Sequence, residues 1–124
     1  MRSDAREAPD ALDTVRAVAE AALSRKATEL KVLDLSGLCD FADYFLICSG
    51  TNPRQVQAIG DAVDESLRRR GVRPLSIEGR EPGRWMLLDY GDFLVHVFLE
   101  EIRSFYRLEQ LWADGHDVTD RVAG

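Results

Sequence analysis

Apolar residues recur along this chain with two periods, and each change of period marks an element. Over 10–26, Leu12, Val15, Ala19, Ala22 and Leu23 fall at helical spacing, and Asp10 stands where it caps the first turn. Over 29–36, Leu30 and Val32 alternate with Lys31, Leu33 and Leu35, with Asp34 breaking the run. This predicts a strand partly buried on both faces. The stretch 37–43 is a connection. Residues 44–49 are continuously apolar up to Ser49, which suits a central strand covered on both faces. Val56, Ile59, Val63 and Leu67 form one stripe of a second helix, 53–70, which Gly71 ends. Leu75 and Ile77 alternate with Ser76 and Glu78 in a short strand closed by Gly79, and 80–83 is a turn. Strands over 84–90 and 93–99 are separated only by Gly91-Asp92, a two-residue hairpin signal. A last helix begins near Glu100 and reaches about Trp112, with Ile102, Phe105, Tyr106 and Leu108 as inward-facing candidates.

The predicted order is α-β-β-α-β-β-β-α: one α/β domain with a mixed sheet and helices packed on it. The expected boundaries are a flexible N-terminus over 1–9, the domain over 10–113 and a loose tail over 114–124, where DGHDVTDRVAG offers little to bury.

Charge narrows the partners. Sixteen basic residues against 22 acidic give a net charge of −6. Nucleic-acid binding draws most of its affinity from phosphate neutralisation, so an acidic chain suits a basic protein partner better. Arg68-Arg69-Arg70 reads as the solvated C-terminal end of a helix rather than a nucleic-acid patch. No apolar run reaches the roughly 20 residues of a membrane span. The opening MRSDAREAPD is unlike a secretory signal, so a cytoplasmic protein is expected. Cys39 and Cys48 read as small buried hydrophobes. With His96 and His116 they lack the close ligand pair of a zinc site, so no metal and no cofactor are expected.

Two stretches carry candidate chemistry. In SGTNPRQ an apolar strand ends in Ser49-Gly50 and a helix starts at once. Asn52 fits an N-cap, Pro53 the first helical position, and Gln55 completes a capping-box pattern. One glycine without a following lysine is not a phosphate loop. The competing reading is a minimal nucleotidyltransferase using Ser49, Gly50, Asp89 and Asp92 with magnesium. The second stretch is the hairpin. Alternation puts Trp85, Leu87 and Asp89 on one face and Met86, Leu88 and Tyr90 on the other. An acid beside a tryptophan on one face has the anatomy of a protein-binding anchor with a charged rim; the plainer reading has Trp85 in the core and Asp89 capping the turn. His96, between Val95 and Val97, reads as a core histidine hydrogen-bonded to a neighbour.

The combination DYFLICSGTNPRQVQAIGDAV, then EG, then WMLLDYGDFLVHVF, then EEIRSFYRLEQLW closely resembles the ribosomal silencing factor S family, also called the iojap family, over roughly 10–113. The resemblance implies a small α/β fold related to nucleotidyltransferases but without their catalytic set, and no enzyme activity. It also implies binding to the large ribosomal subunit through one basic protein, ribosomal protein L-fourteen. By the same resemblance, this binding would block small-subunit joining and lower translation when nutrients are short. A role in large-subunit assembly and a homodimer when free are implied as well. Carried over, it puts Trp85, Asp89 and Tyr90 at the interface core, extended by Glu78 and Gly79. Arg54 and Gln55 would be structural, tying the helix start to the sheet. Phe93 departs from a position that is usually β-branched in the family, and the tail after Asp114 lies outside the pattern.

Overall fold

The computed structural model describes residues 11–37, 42–106 and 116–123. In chain order the elements are α1 (Ala11–Ser24), β1 (Thr28–Asp34), β2 (Tyr44–Gly50), α2 (Pro53–Arg69), β3 (Ser76–Glu78), β4 (Trp85–Asp89), β5 (Phe93–Leu99), α3 (Glu100–Tyr106), β6 (His116–Asp117) and α4 (Thr119–Ala123). The strands form one sheet in the order β3-β4-β5-β2-β1-β6. All neighbours are antiparallel except the central pair, β2 and β5, which run parallel with Tyr44 opposite Phe93 and Gly50 opposite Leu99. The mixed α/β architecture expected from the periodicity is the one observed.

Alternation along the strands sorts the core into two clusters. On one face Val32, Leu46, Cys48, Met86, Leu88, Val95 and Val97 pack with Val15, Val18 and Ala22 of α1 and with Val56, Ile59, Val63 and Leu67 of α2. Full burial of each such aliphatic side chain is worth roughly 1.5–3 kcal/mol. The other face carries Leu33, Leu35, Phe45, Ile47, Leu94 and Phe98, with Trp85 and Leu87 packed at its margin. β2 and β5 lie mid-sheet and face both clusters, which is why both read as apolar runs, that of β5 interrupted only by His96.

Helix ends follow local chemistry. Asn52 caps α2, its side-chain oxygen accepting from Gln55 N at 2.8 Å. α2 ends in a Schellman motif: Gly71 N donates to Arg68 O and Val72 N to Leu67 O, with Gly71 at φ 82°. Arg68 and Arg69 pair with Asp64 and Glu65 one turn back. α1 closes the same way on a lysine. Lys26 N donates to Leu23 O, Ala27 N to Ala22 O, and Lys26 takes φ 64°. That left-handed residue stops the helix at Ser24, two residues short of the expected end.

Two further expectations change. The tail over 114–124 is not loose where it is described: His116–Asp117 pairs with β1, and Thr119–Ala123 forms a helix with Val118 and Val122 buried. The physical reason is that β1 would otherwise be an open sheet edge. Val118 N donates to Val32 O, Thr119 Oγ1 accepts from Val32 N, and Asp117 accepts from Thr119 N. β4 ends at Asp89, so Tyr90 falls in the turn rather than in the strand. The last helix is described only to Tyr106; its expected continuation to Trp112, like Asp10, Cys39 and the N-terminus over 1–9, lies outside the described residues.

Candidate functional site

The hairpin organises the open margin of the second face. Its turn is held by Asp89, whose Oδ1 accepts from Gly91 N at 2.9 Å, while Tyr90 N donates to Phe93 O at 3.0 Å and Gly91 sits at φ 88°. Asp89 therefore does cap the turn. It also shares a face with Trp85 and Leu87, and these three are only half-buried. Across the edge, Glu78 pairs with Leu87 and Ser76 with Asp89. Glu78, Gly79, Trp85 and Leu87 line one surface cavity of about 280 Å³.

Gly79 is held by geometry. It lies at φ 78°, and a Cβ there would stand 2.0 Å from the Trp85 carbonyl oxygen. Only glycine lets the β3 corner lie against the start of β4. The 80–83 turn between them is pinned to α2. Gln57 Nε2 donates to Arg80 O at 2.9 Å and to Glu81 O at 3.0 Å, and Arg80 forms a two-point pair with Asp61 at 2.6 and 2.8 Å. That hydrogen bond from Arg80 holds the Asp61 carboxyl below its usual range.

Trp85 is fixed from below. Its ring lies 4.8 Å from Phe98, and its Nε1 donates to His96 Nδ1 at 3.2 Å. His96 is 5 % exposed, with Phe45 at 4.9 Å and Phe98 stacked at 6.1 Å. Burial lowers its pKa to about 4, so the ring is neutral at pH 7. It is a core histidine bonded to a neighbour, as its sequence setting suggests, and that neighbour is the candidate anchor.

The structure thus brings three of the five nominated residues, Trp85, Glu78 and Gly79, to one cavity, and places Asp89 on the same face at the turn end of β4. Tyr90 stands apart. It is buried beneath the opposite face, stacked on Phe93 at 5.0 Å, and burial, then the Asp64 carboxylate, push its hydroxyl well above the usual phenol range. Leu87, not nominated from the sequence, lines the same cavity; the period-2 alternation already placed it there.

The Ser-Gly corner is a separate region. Gly50 lies against α2, where an added Cβ would meet Val56 atoms at 3.2 Å; its role is close strand–helix packing. Gln55 reaches Thr51 N at 2.7 Å, one residue before the expected capping-box partner, and donates to Arg25 O and Lys26 O at 3.0 and 3.1 Å. It ties α2 to the end of α1. Ser49 Oγ accepts from the buried Arg103 at 3.0 Å, and Arg103 also donates to Glu29 O. Burial pushes the neighbouring Cys48 thiol up to about 12, against the pull of Arg103. Asp89 pairs with Leu94, which lies opposite Phe45, four residues from Ser49 along β2. That is about 13 Å along the strand alone. Asp92 is at the same far end, its carbonyl accepting from Asp43 N and Tyr44 N. A magnesium ion holds its ligands at about 2 Å. Ser49-Gly50 and the two carboxylates therefore do not form one metal-nucleotide site.

Comparison with known proteins places the chain. A family model described as "Ribosomal silencing factor during starvation" matches residues 8–123. The ribosomal silencing factor RsfS of Bacillus subtilis is 40 % identical over 100 residues, covering 81 % of this chain and 85 % of the relative. A more distant relative, the mouse "Mitochondrial assembly of ribosomal large subunit protein 1", is 32 % identical over 89 residues, or 69 % of this chain and 39 % of its own length. Among solved structures, a Chromobacterium violaceum protein superposes with a TM-score of 0.83 at 32 % identity, covering 85 % of this chain and 88 % of the other. With the family match spanning nearly the whole chain and the same fold found at that identity, this chain belongs to the ribosomal silencing factor (RsfS, iojap) family.

Proposed function

We propose that this protein is a non-enzymatic translational repressor. It binds the large ribosomal subunit through ribosomal protein L-fourteen and by its bulk blocks small-subunit joining when nutrients are limiting. The family match over 8–123 carries the reading. The net charge of −6 suits a basic ribosomal protein. The half-buried Trp85 and Leu87, with Glu78, Gly79 and Asp89 at their rim, have the anatomy of a protein-docking patch: a small apolar centre with acidic edges. Tyr90 belongs to the same site only as the support beneath its turn. We read the protein as cytoplasmic and dimeric when free; among the described residues no helix is long and apolar enough to cross a membrane. The name of the mouse relative supports a second reading, large-subunit assembly, by the same docking.

The test is co-sedimentation with large subunits, small subunits and joined ribosomes at two salt concentrations. Wild type is expected with the large subunit, less so at high salt. Asp89→Asn retains an acceptor for Gly91 N and removes only charge. Asp89→Lys adds repulsion and is expected to weaken binding further, as is Trp85→Ala, once circular dichroism shows each to be folded. Wild type that stays in the supernatant with every particle would overturn the reading. Binding confined to immature large subunits would favour assembly over silencing.

A further inference from the structure

We infer that His96 is a positioning residue for docking: its Nδ1 holds the Trp85 indole N–H, so that the candidate face offers a ring already locked in place. The inference rests on the reading of Trp85 as part of the docking patch. It stands on the 3.2 Å bond from Trp85 Nε1 to His96 Nδ1 and on the aromatic stack around it.

A neutral imidazole has one accepting and one donating nitrogen. With Nδ1 accepting from the indole, the proton sits on Nε2. That atom is buried and has no hydrogen-bond partner among the described residues. An orphaned buried donor is a cost that a phenylalanine or leucine at 96 would avoid, since Phe45, Ile47 and Phe98 give the position apolar neighbours on its own face. What the imidazole supplies and they would not is one acceptor at the inner edge of Trp85.

Two consequences follow for the partner. Trp85 does not need to be ordered on docking, because its ring is already held between the His96 bond and Phe98. Its N–H is also already used. The partner therefore needs no acceptor over Trp85, only an apolar surface, with basic groups where it meets Glu78 and Asp89. An aliphatic stem ending in a cation, as in arginine or lysine, matches that pattern.

The experiment compares His96→Phe, which keeps a ring and removes the acceptor, with His96→Asn, whose side-chain oxygen falls near the place of Nδ1. Two quantities are read. The first is the Trp85 indole N–H signal by ¹H–¹⁵N NMR, assigned with Trp85→Phe to separate it from Trp112. The second is affinity for purified large subunits, with Trp85→Ala alongside. In His96→Phe the indole signal is expected to shift and exchange faster with water. Affinity should drop about three- to tenfold, the equivalent of ordering one side chain on binding. The melting temperature should be unchanged or higher, because the orphaned Nε2 is gone. His96→Asn should restore most of the affinity. A purely structural histidine would instead make affinity follow melting temperature.

Wild-type affinity in His96→Phe with a displaced indole signal would overturn the inference, as would an indole signal that does not move. Wild-type affinity in Trp85→Ala would sink the docking reading itself, and the inference with it. Should the phenylalanine variant not fold, hydrogen exchange of the wild-type Trp85 indole decides: slow exchange supports the bond, and exchange as fast as a free indole overturns it.

Discussion

Acidification from pH 7.5 to 5 should destabilise the fold through His96. Burial lowers its pKa from 6.5 to about 4. Between those values the unfolded chain takes up a proton that the folded chain refuses. Stability is therefore full above about pH 6.5, falls by roughly 1.4 kcal/mol per unit as pH drops through the window, and levels off near pH 4. The whole window is worth about 3 kcal/mol, and about 2 kcal/mol of it is lost by pH 5. Solvent screening does not reduce this much, because the ring is only 5 % exposed. The carboxylates with lowered pKa, Asp61 and Asp117, work in a lower window: their stabilisation is lost as pH falls below 3.8. Urea unfolding followed by circular dichroism at pH 7.5, 6.5, 5.75 and 5 measures the effect, with His96→Phe as the reference. His116 and every other common group cancel in the difference between the two proteins. The difference should swing by about 2 kcal/mol toward the variant. A difference constant to within about 0.5 kcal/mol would show that the ring titrates freely and is not the buried neutral acceptor described.

Further outcomes are expected. Gly79→Ala forces a Cβ to within 2.0 Å of the Trp85 carbonyl at φ 78°, and should cost about 1–3 kcal/mol in urea unfolding while weakening large-subunit binding. Gln55→Ala removes the link from Thr51 N to the carbonyls of Arg25 and Lys26, and should cost about 1–2 kcal/mol; a neutral result would show that the αL end of α1 needs no support. Val122→Ala should cost about 1.5 kcal/mol by the same assay, since two buried methyl groups are lost, and no change would mean that the C-terminal helix does not pack. Millimolar nucleotide with magnesium should leave the melting temperature unmoved; a rise would reopen a nucleotide site.

The features legible in the sequence are those set by neighbours in sequence. The stripe Val56, Ile59, Val63, Leu67 gave α2, and Gly91-Asp92 gave the hairpin. The hairpin also fixed register: Tyr90 beside Phe93 sets Leu87 opposite His96 and Trp85 opposite Phe98, the pairs observed. From that register the diagonal Trp85–His96 contact was within reach. Legible too was the sorting of Trp85 and Asp89 onto one face and Tyr90 onto the other, so its separation from the patch followed from the same alternation. What the sequence hid depends on distant segments. Nothing near 116–123 says that β1 lacks a partner on that side. Nothing near Lys26 says that a left-handed lysine is tolerated because Gln55, 29 residues on, binds its carbonyl.

The two candidate sites differ in what the rest of the chain does to them. In open α/β sheets a ligand enters beyond the carboxyl ends of parallel strands. Here those ends belong to β2 and β5, and the candidate groups there, Ser49 and Gly50, are already engaged within the chain. Ser49 binds Arg103, Gly50 lies under Val56, and the first turn of α2 is occupied by Asn52 and Gln55. The buried guanidinium is held by the chain's own Glu29 carbonyl and Ser49 hydroxyl, so it seals the corner instead of waiting for an anion. The open margin between β3 and β4 shows the opposite economy. Gly79, Gln57 and Asp89 spend their geometry and bonds on positioning, and what they position, Trp85 and Leu87, is left half-exposed. The corner is thus closed by internal bonds while a braced, partly exposed apolar edge stands elsewhere, and it is on that edge that the proposed docking role rests.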